Sequence, residues 1–121
     1  MLALVIDDSS TMRRVHQKGL EKLGYRVCVA ADGIDGLRVL SENTDAVLIL
    51  TDIHMPNMDG IEFTREVRKL AYGVAIRVLV VTSDGTLDVI ESAITAGADD
   101  VLIKPFTPQD FAEKVKMVVN A

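Results

Sequence analysis

The stretch Leu48-Ile49-Leu50-Thr51-Asp52-Ile53-His54-Met55-Pro56 decides how this chain folds. Its first four residues continue an apolar run from Ala46, and Ala46 to Thr51 reads as a strand buried on both faces. Asp52 ends the run, and Met55-Pro56 breaks the chain into a loop. A carboxylate at the mouth of an apolar strand is costly unless other groups compensate it. The remaining strand ends are where such groups are expected.

On the N-terminal side, Leu2 to Ile6 is a short apolar run that stops at Asp7-Asp8. Ser9-Ser10-Thr11 offers hydroxyls for a helix N-cap, after which Met12, Val15, Gly19, Leu20 and Leu23 recur at helical spacing up to Gly24. Tyr25 to Ala30 reads as a second strand, followed by Asp32-Gly33 and a short helix carrying Ile34, Leu37, Val39 and Leu40. Beyond Asp52, Asp59 caps a helix with the stripe Phe63, Val67, Leu70, closed by Gly73. Ile76 to Val81 is a fourth strand ending in Thr82-Ser83-Asp84-Gly85. A helix over about 86–96 presents Leu87, Ile90 and Ile94 and is capped by Gly97. Val101 to Ile103 ends in Lys104-Pro105, and Thr107-Pro108 forms an N-cap and N1 pair for a helix with Phe111, Val115, Val118 and Val119 inward.

Strand then helix, repeated along the chain, means a parallel sheet with helices on both faces. A closed eight-fold barrel needs about 250 residues, and this chain has 121, so the sheet is open and residues 1–121 form one domain. Flavodoxin-like and Rossmann-like windings both satisfy the pattern. In such sheets ligands bind beyond the C-terminal ends of the strands. Those ends carry Asp7-Asp8, Asp52, Thr82 and Lys104, whereas the second strand ends only in Ala30-Ala31-Asp32. Strand order 2-1-3-4-5 puts that odd strand at the edge and opens a crevice between Asp7-Asp8 and Asp52.

Composition excludes several classes. The net charge is −5 with no basic run, so nucleic acid is not an expected direct partner. No apolar stretch approaches the roughly 20 residues of a membrane span, and charge at Asp7 rules out a signal-peptide core. The single cysteine, Cys28, lies in an apolar run and reads as a small core residue. These features point to a soluble cytoplasmic protein. His16 falls on a helix flank and reads as ordinary surface, and Met12, Met58 and Met117 read as packing residues.

Asp7, Asp8 and Asp52 would concentrate negative charge in one crevice. Two like charges ~4 Å apart repel by roughly 4 kcal/mol at an effective dielectric near 20. Lys104 offsets one charge, and a divalent cation would relieve the rest. Oxygen ligands without a His–Cys cluster suit Mg²⁺ or Mn²⁺. The set is equipped for phosphoryl transfer to a carboxylate, with Asp52 as nucleophile, Lys104 neutralising equatorial oxygens and the Thr82 hydroxyl donating to one of them.

The chain resembles the receiver domain of two-component response regulators, in family order and over its whole length. The matching residues are Asp7-Asp8-Ser9-Ser10-Thr11-Met12-Arg13-Arg14, Asp52-Ile53-His54-Met55-Pro56-Asn57-Met58-Asp59-Gly60, Val81-Thr82-Ser83, Ala96-Gly97-Ala98-Asp99-Asp100 and Leu102-Ile103-Lys104-Pro105-Phe106. The segment Ser10 to Arg14 looks most like chemotaxis-type receivers. The resemblance implies a flavodoxin-like receiver fold and phosphorylation of Asp52 by a sensor histidine kinase or a histidine phosphotransfer protein. It implies Mg²⁺ held by Asp8, Asp52 and the backbone carbonyl of His54, with Asp7 acting partly through water. It also implies phosphoryl contacts from Thr82 and Lys104, a cis Lys104–Pro105 bond, and switched affinity for a downstream target or effector domain. His54 and Asp84, two residues after Asp52 and Thr82, would tune phosphoryl lifetime. One departure stands out: the family's aromatic three residues before the lysine is Val101 here, too short to swing as that aromatic does.

Two other functions start from similar parts. A haloacid-dehalogenase-type phosphatase needs Asp-x-Asp after the first strand, and here the pair is adjacent and residue 54 is His. A flavin-binding sheet could use Ser9-Ser10-Thr11 for phosphate, but Asp7-Asp8 would repel it. The expectation is a signalling module, with no substrate beyond its own phosphorylation and dephosphorylation.

Overall fold

In the computed structural model, which describes residues 1–120, the strands are β1 (Leu2–Ile6), β2 (Arg26–Ala30), β3 (Leu48–Thr51), β4 (Arg77–Thr82) and β5 (Asp100–Ile103). They alternate with α1 (Ser10–Lys22), α2 (Gly33–Ser41), α3 (Gly60–Val67), α4 (Leu87–Ala96) and α5 (Pro108–Val119). All pairings are parallel, in the order β2-β1-β3-β4-β5. This is the flavodoxin-like winding, with β2 at one edge.

Every residue of β1 and β3 is buried, which explains their continuous apolar runs. Alternate side chains serve opposite faces. Leu4, Ile6, Ile49, Val78 and Val80 pack with Phe63 and the α2–α4 side, whereas Ala3, Val5, Leu48, Leu50, Leu79 and Val81 pack with Leu20, Phe111 and Val115. Edge strand β2 leaves Arg26 and Val29 exposed, as one uncovered side requires.

Several boundaries and faces differ from the sequence expectation. The β3 ladder begins at Leu48, because Ala46 N–H is taken by Asn43 O in the turn after α2. Helix α3 ends at Val67, and a 3₁₀ turn, Ala71–Gly73, follows. The last turn tightens to i−3 bonds, and the Arg68 guanidinium holds the chain that follows by donating to the carbonyls of Gly73, Ile76 and Gly97 and to the Asp99 carboxylate. In α4 the inward residues are Ala93 and Ala96, with Val89 beside them, while Leu87 is 69% exposed and Ile94 also faces out. Methyl side chains let α4 lie close to its neighbours, so its larger residues turn to solvent. Met117 is likewise exposed.

The largest correction is in α1. His16 is not surface: it is 3% exposed and points inward with Leu20, while Val15 faces out. Met12, His16, Leu20 and Leu23 share one stripe at i, i+4, i+8 and i+11, and Val15 lies one residue, about 100°, off it. A polar residue in that stripe hid its register.

Candidate functional site

The sheet register brings the acidic residues together. Ile6 pairs with Thr51, so Asp7 and Asp52 leave adjacent strands side by side. Asp52 N–H donates to Ile6 O at 3.1 Å and Asp7 N–H to Ala30 O at 3.2 Å, which carries strand-like pairing to the carboxylates themselves. Asp7, Asp8 and Asp52 each offer an oxygen within 4.8 Å of the others.

Each carboxylate is held differently. Asp52 Oδ1 accepts from Ile53 N–H at 2.7 Å, and its Oδ2 stands 3.5 Å from Lys104 Nζ. Asp7 is 1% exposed; its Oδ1 accepts from Ser9 N–H, but its Oδ2 is buried without a hydrogen-bond partner. Burial pushes the Asp7 carboxyl above its usual range, and the Asp52 and Asp8 charges act in the same direction. The Ser9 N–H and the Lys104 ammonium, 3.9 Å from Asp7, oppose that rise. Asp8 is exposed and free to turn toward a ligand. An orphaned buried carboxylate oxygen beside two further carboxylates fits a hard cation, which supplies the missing partner.

Lys104 reaches the site from the end of β5, where its N–H donates to Thr82 O at 2.8 Å. Its peptide bond to Pro105 is cis. Thr82, fully buried, accepts from Asp84 N–H at 3.1 Å through its hydroxyl, which can still donate its own hydrogen. His54 and Asp84 face each other, with Nε2 and Oδ2 3.8 Å apart. The Thr86 N–H and hydroxyl hold the Asp84 carboxyl below its ordinary value, with a smaller contribution from His54. Val101 is half-buried on the α4 side of the sheet, in the same cluster as Val89 and Ala93.

Three residues support the site in ways the sequence did not reveal. Gly60 N–H donates to Ile53 O at 2.8 Å, folding the loop so tightly that a Cβ at residue 60 would overlap Asp52 O. Arg13 donates to Asp7 O at 2.8 Å. His16 stacks on Phe106 and Phe111, with ring centroids 6.2 and 6.0 Å away, and its Nε2 has no partner. Burial holds its imidazole down at about 4; Lys104 pushes the same way and Asp52 opposes. Only Gly60 left a signal, as the glycine of Asp59-Gly60 at a helix start.

Carboxylates, a lysine and a hydroxyl at the C-terminal ends of four strands define a doubly wound α/β protein built around an acidic crevice. A family model for the response regulator receiver domain matches residues 3–116. Chemotaxis protein CheY1 of Helicobacter pylori is 37% identical over 121 residues, covering 99% of this chain and 98% of that protein. The crystallised chemotaxis protein CheY4 of Vibrio cholerae superposes with a TM-score of 0.90 at 29% identity, over 97% of each chain. The receiver domain of a sensor histidine kinase from Pseudomonas aeruginosa PAO1, solved with magnesium coordinated in its active-site cleft, gives 0.88 at 29% identity, over 99% of this chain and 98% of that one. The chain belongs to the response regulator receiver family of two-component signalling, and chemotaxis proteins of the CheY type are among its relatives. Among the described residues no helix is long and apolar enough to cross a membrane.

Proposed function

We propose that this receiver accepts a phosphoryl group on Asp52 from a phosphohistidine of a sensor histidine kinase or a histidine phosphotransfer protein. The observation that carries the reading is Asp52 Oδ2 at 3.5 Å from the Lys104 ammonium, inside a cluster of three carboxylates. An Asp52 oxygen bonds to phosphorus as the phosphorus–nitrogen bond breaks, and its electron pair stays with the leaving imidazole. Lys104 draws negative charge from the phosphoryl oxygens, and the Thr82 hydroxyl donates to one of them. Asp7, Asp8, Asp52 and the His54 backbone carbonyl would hold Mg²⁺, or Mn²⁺ in its place. When bound, that ion neutralises charge on the crevice and on the phosphoryl oxygens. The magnesium in the related receiver supports this assignment.

Dephosphorylation returns Asp52 to its free carboxylate as water takes the phosphoryl group. His54 and Asp84 flank that approach and tune its rate. The protein is a cytoplasmic signalling module, not an enzyme with a separate substrate. Its phosphorylated form changes affinity for a downstream target protein or an effector domain. Val101, short and β-branched, weakens the response expected on the α4 side of β5.

The test is adduct formation with acetyl phosphate, followed by intact mass with Mg²⁺ and with EDTA. A phosphoryl adduct that EDTA abolishes, together with no turnover of p-nitrophenyl phosphate, supports the reading. Steady hydrolysis of the ester would make the protein a phosphatase instead.

A further inference from the structure

We propose that His16 is a positioning residue for Lys104, acting through the Phe106 ring, and that phosphorylation of Asp52 is therefore reported on the α1–α5 face. The proposal rests on Asp52 being the phosphoacceptor.

Lys104 is fixed at both ends. Its ammonium faces Asp52 and Asp7, and its backbone is tied to Thr82 O. Only Pro105 separates it from Phe106, and a proline ring removes most of the backbone freedom at that joint. Phe106 belongs to a three-ring stack in which His16, Phe106 and Phe111 lie 5.9 to 6.2 Å apart and within 27° of parallel. A shift that the Lys104 backbone follows is carried through Pro105 to Phe106 and so against that stack.

The stack in turn joins two helices. Phe111 of α5 occupies the space left by Gly19 of α1, where a Cβ would stand 2.5 Å from the Phe111 ring. A groove of ≈ 400 Å³ runs along His16, Gly19, Phe106 and Phe111, so the rings have room to move. On the opposite face of the sheet the corresponding position is Val101, half-buried against the core cluster of the α4 side and without a ring of its own.

Stability alone does not account for His16. A polar ring buried to 3% exposure with an unpartnered Nε2 costs more than a leucine of similar volume would. A positioning role needs the flat ring.

The variants are His16→Leu, which keeps an apolar side chain but loses the ring, and His16→Phe, which keeps the ring. Hydrogen exchange is measured with and without Mg²⁺ and beryllofluoride, alongside melting temperature and the acetyl phosphate adduct by intact mass. In the wild type, exchange should slow in 10–22 and 108–119 more than in 87–96. His16→Leu should form the adduct and melt no lower than the wild type, yet lose that slowing; His16→Phe should retain it. A wild-type response confined to 87–96, or an unchanged response in His16→Leu, overturns the proposal. Loss in both variants with lowered melting temperatures also overturns it, leaving His16 an ordinary core residue. A wild type that never forms an adduct defeats the phosphoacceptor reading itself, and this proposal with it.

Discussion

A histidine buried neutral ties stability to pH in one direction. The His16 imidazole sits at about 4 in the fold against 6.5 ordinarily. Between those values the unfolded chain binds a proton that the folded chain refuses. The contribution is complete above pH 6.5 and is lost as pH falls toward 4, up to roughly 3 kcal/mol. Asp7, its carboxyl raised by burial, acts in the opposite sense: protonation is easier in the fold, so its contribution falls as pH rises above the ordinary carboxylate range. The difference between wild type and His16→Leu isolates the histidine. Urea unfolding at pH 7 and 4.5 should show His16→Leu gaining on the wild type at the lower pH; parallel pH profiles would contradict the assignment. His54 and Asp84 also form a unit, with Nε2 and Oδ2 3.8 Å apart. Decay of labelled phosphoprotein should change in each single alanine variant, and the double variant should differ at least twofold from the product of the two changes. Independent, multiplicative effects would mean the pair does not act together.

Among the elements, the β3–α3 loop is the most constrained. A methyl group at residue 60 meets the Asp52 carbonyl, so the backbone that aims the carboxylate must move. Gly60→Ala should lower stability by about 1–3 kcal/mol, the usual cost of overpacking, and slow adduct formation at Asp52. Wild-type unfolding and wild-type kinetics in that variant would show that the loop yields freely. At the start of α5, Thr107 and Asp110 form a reciprocal capping box. Thr107→Ala should cost about 1 kcal/mol in urea unfolding. The elements themselves were legible in the sequence because strands β1, β3 and β4 are apolar runs cut off by polar residues, and glycines or caps mark most helix ends. The inward faces of α1 and α4 were not. In α1 the buried stripe contains a histidine, and in α4 it contains alanines, so counting large apolar residues selected Val15, Leu87 and Ile94, which face water. The early end of α3 was hidden for another reason: after Arg68 the backbone bonds tighten to i−3, from Lys69 N–H to Glu66 O and Leu70 N–H to Val67 O, and no glycine or proline marks that change.

At the scale of the whole molecule, topology makes the site. Strand order places Asp7 beside Asp52 and brings Thr82 and Lys104 in from the next two strands, so residues up to 97 positions apart, Asp7 and Lys104, meet across 3.9 Å. That convergence could be read from the sequence because four of the five strands, all but β2, run straight into a polar residue. The route by which the site is reported could not, since it depends on ring contacts between α1 and α5. The same crowding of carboxylates predicts linkage to metal. Mg²⁺ at about 100 times its dissociation constant should stabilise the wild type by roughly 2.7 kcal/mol, seen as a raised melting temperature. Asp52→Asn should be the more stable protein without Mg²⁺ and respond less to it; an equal Mg²⁺ response in both would remove Asp52 from the ligand set. The central claim, that Asp52 takes a phosphoryl group, is tested most directly by mapping the modification. The wild type and Asp52→Asn are incubated with Mg²⁺ and acetyl phosphate, then digested and read by mass. The account predicts one phosphoryl group on the peptide containing Asp52 and none in Asp52→Asn; a phosphoryl group elsewhere, or an adduct that survives in Asp52→Asn, would contradict it.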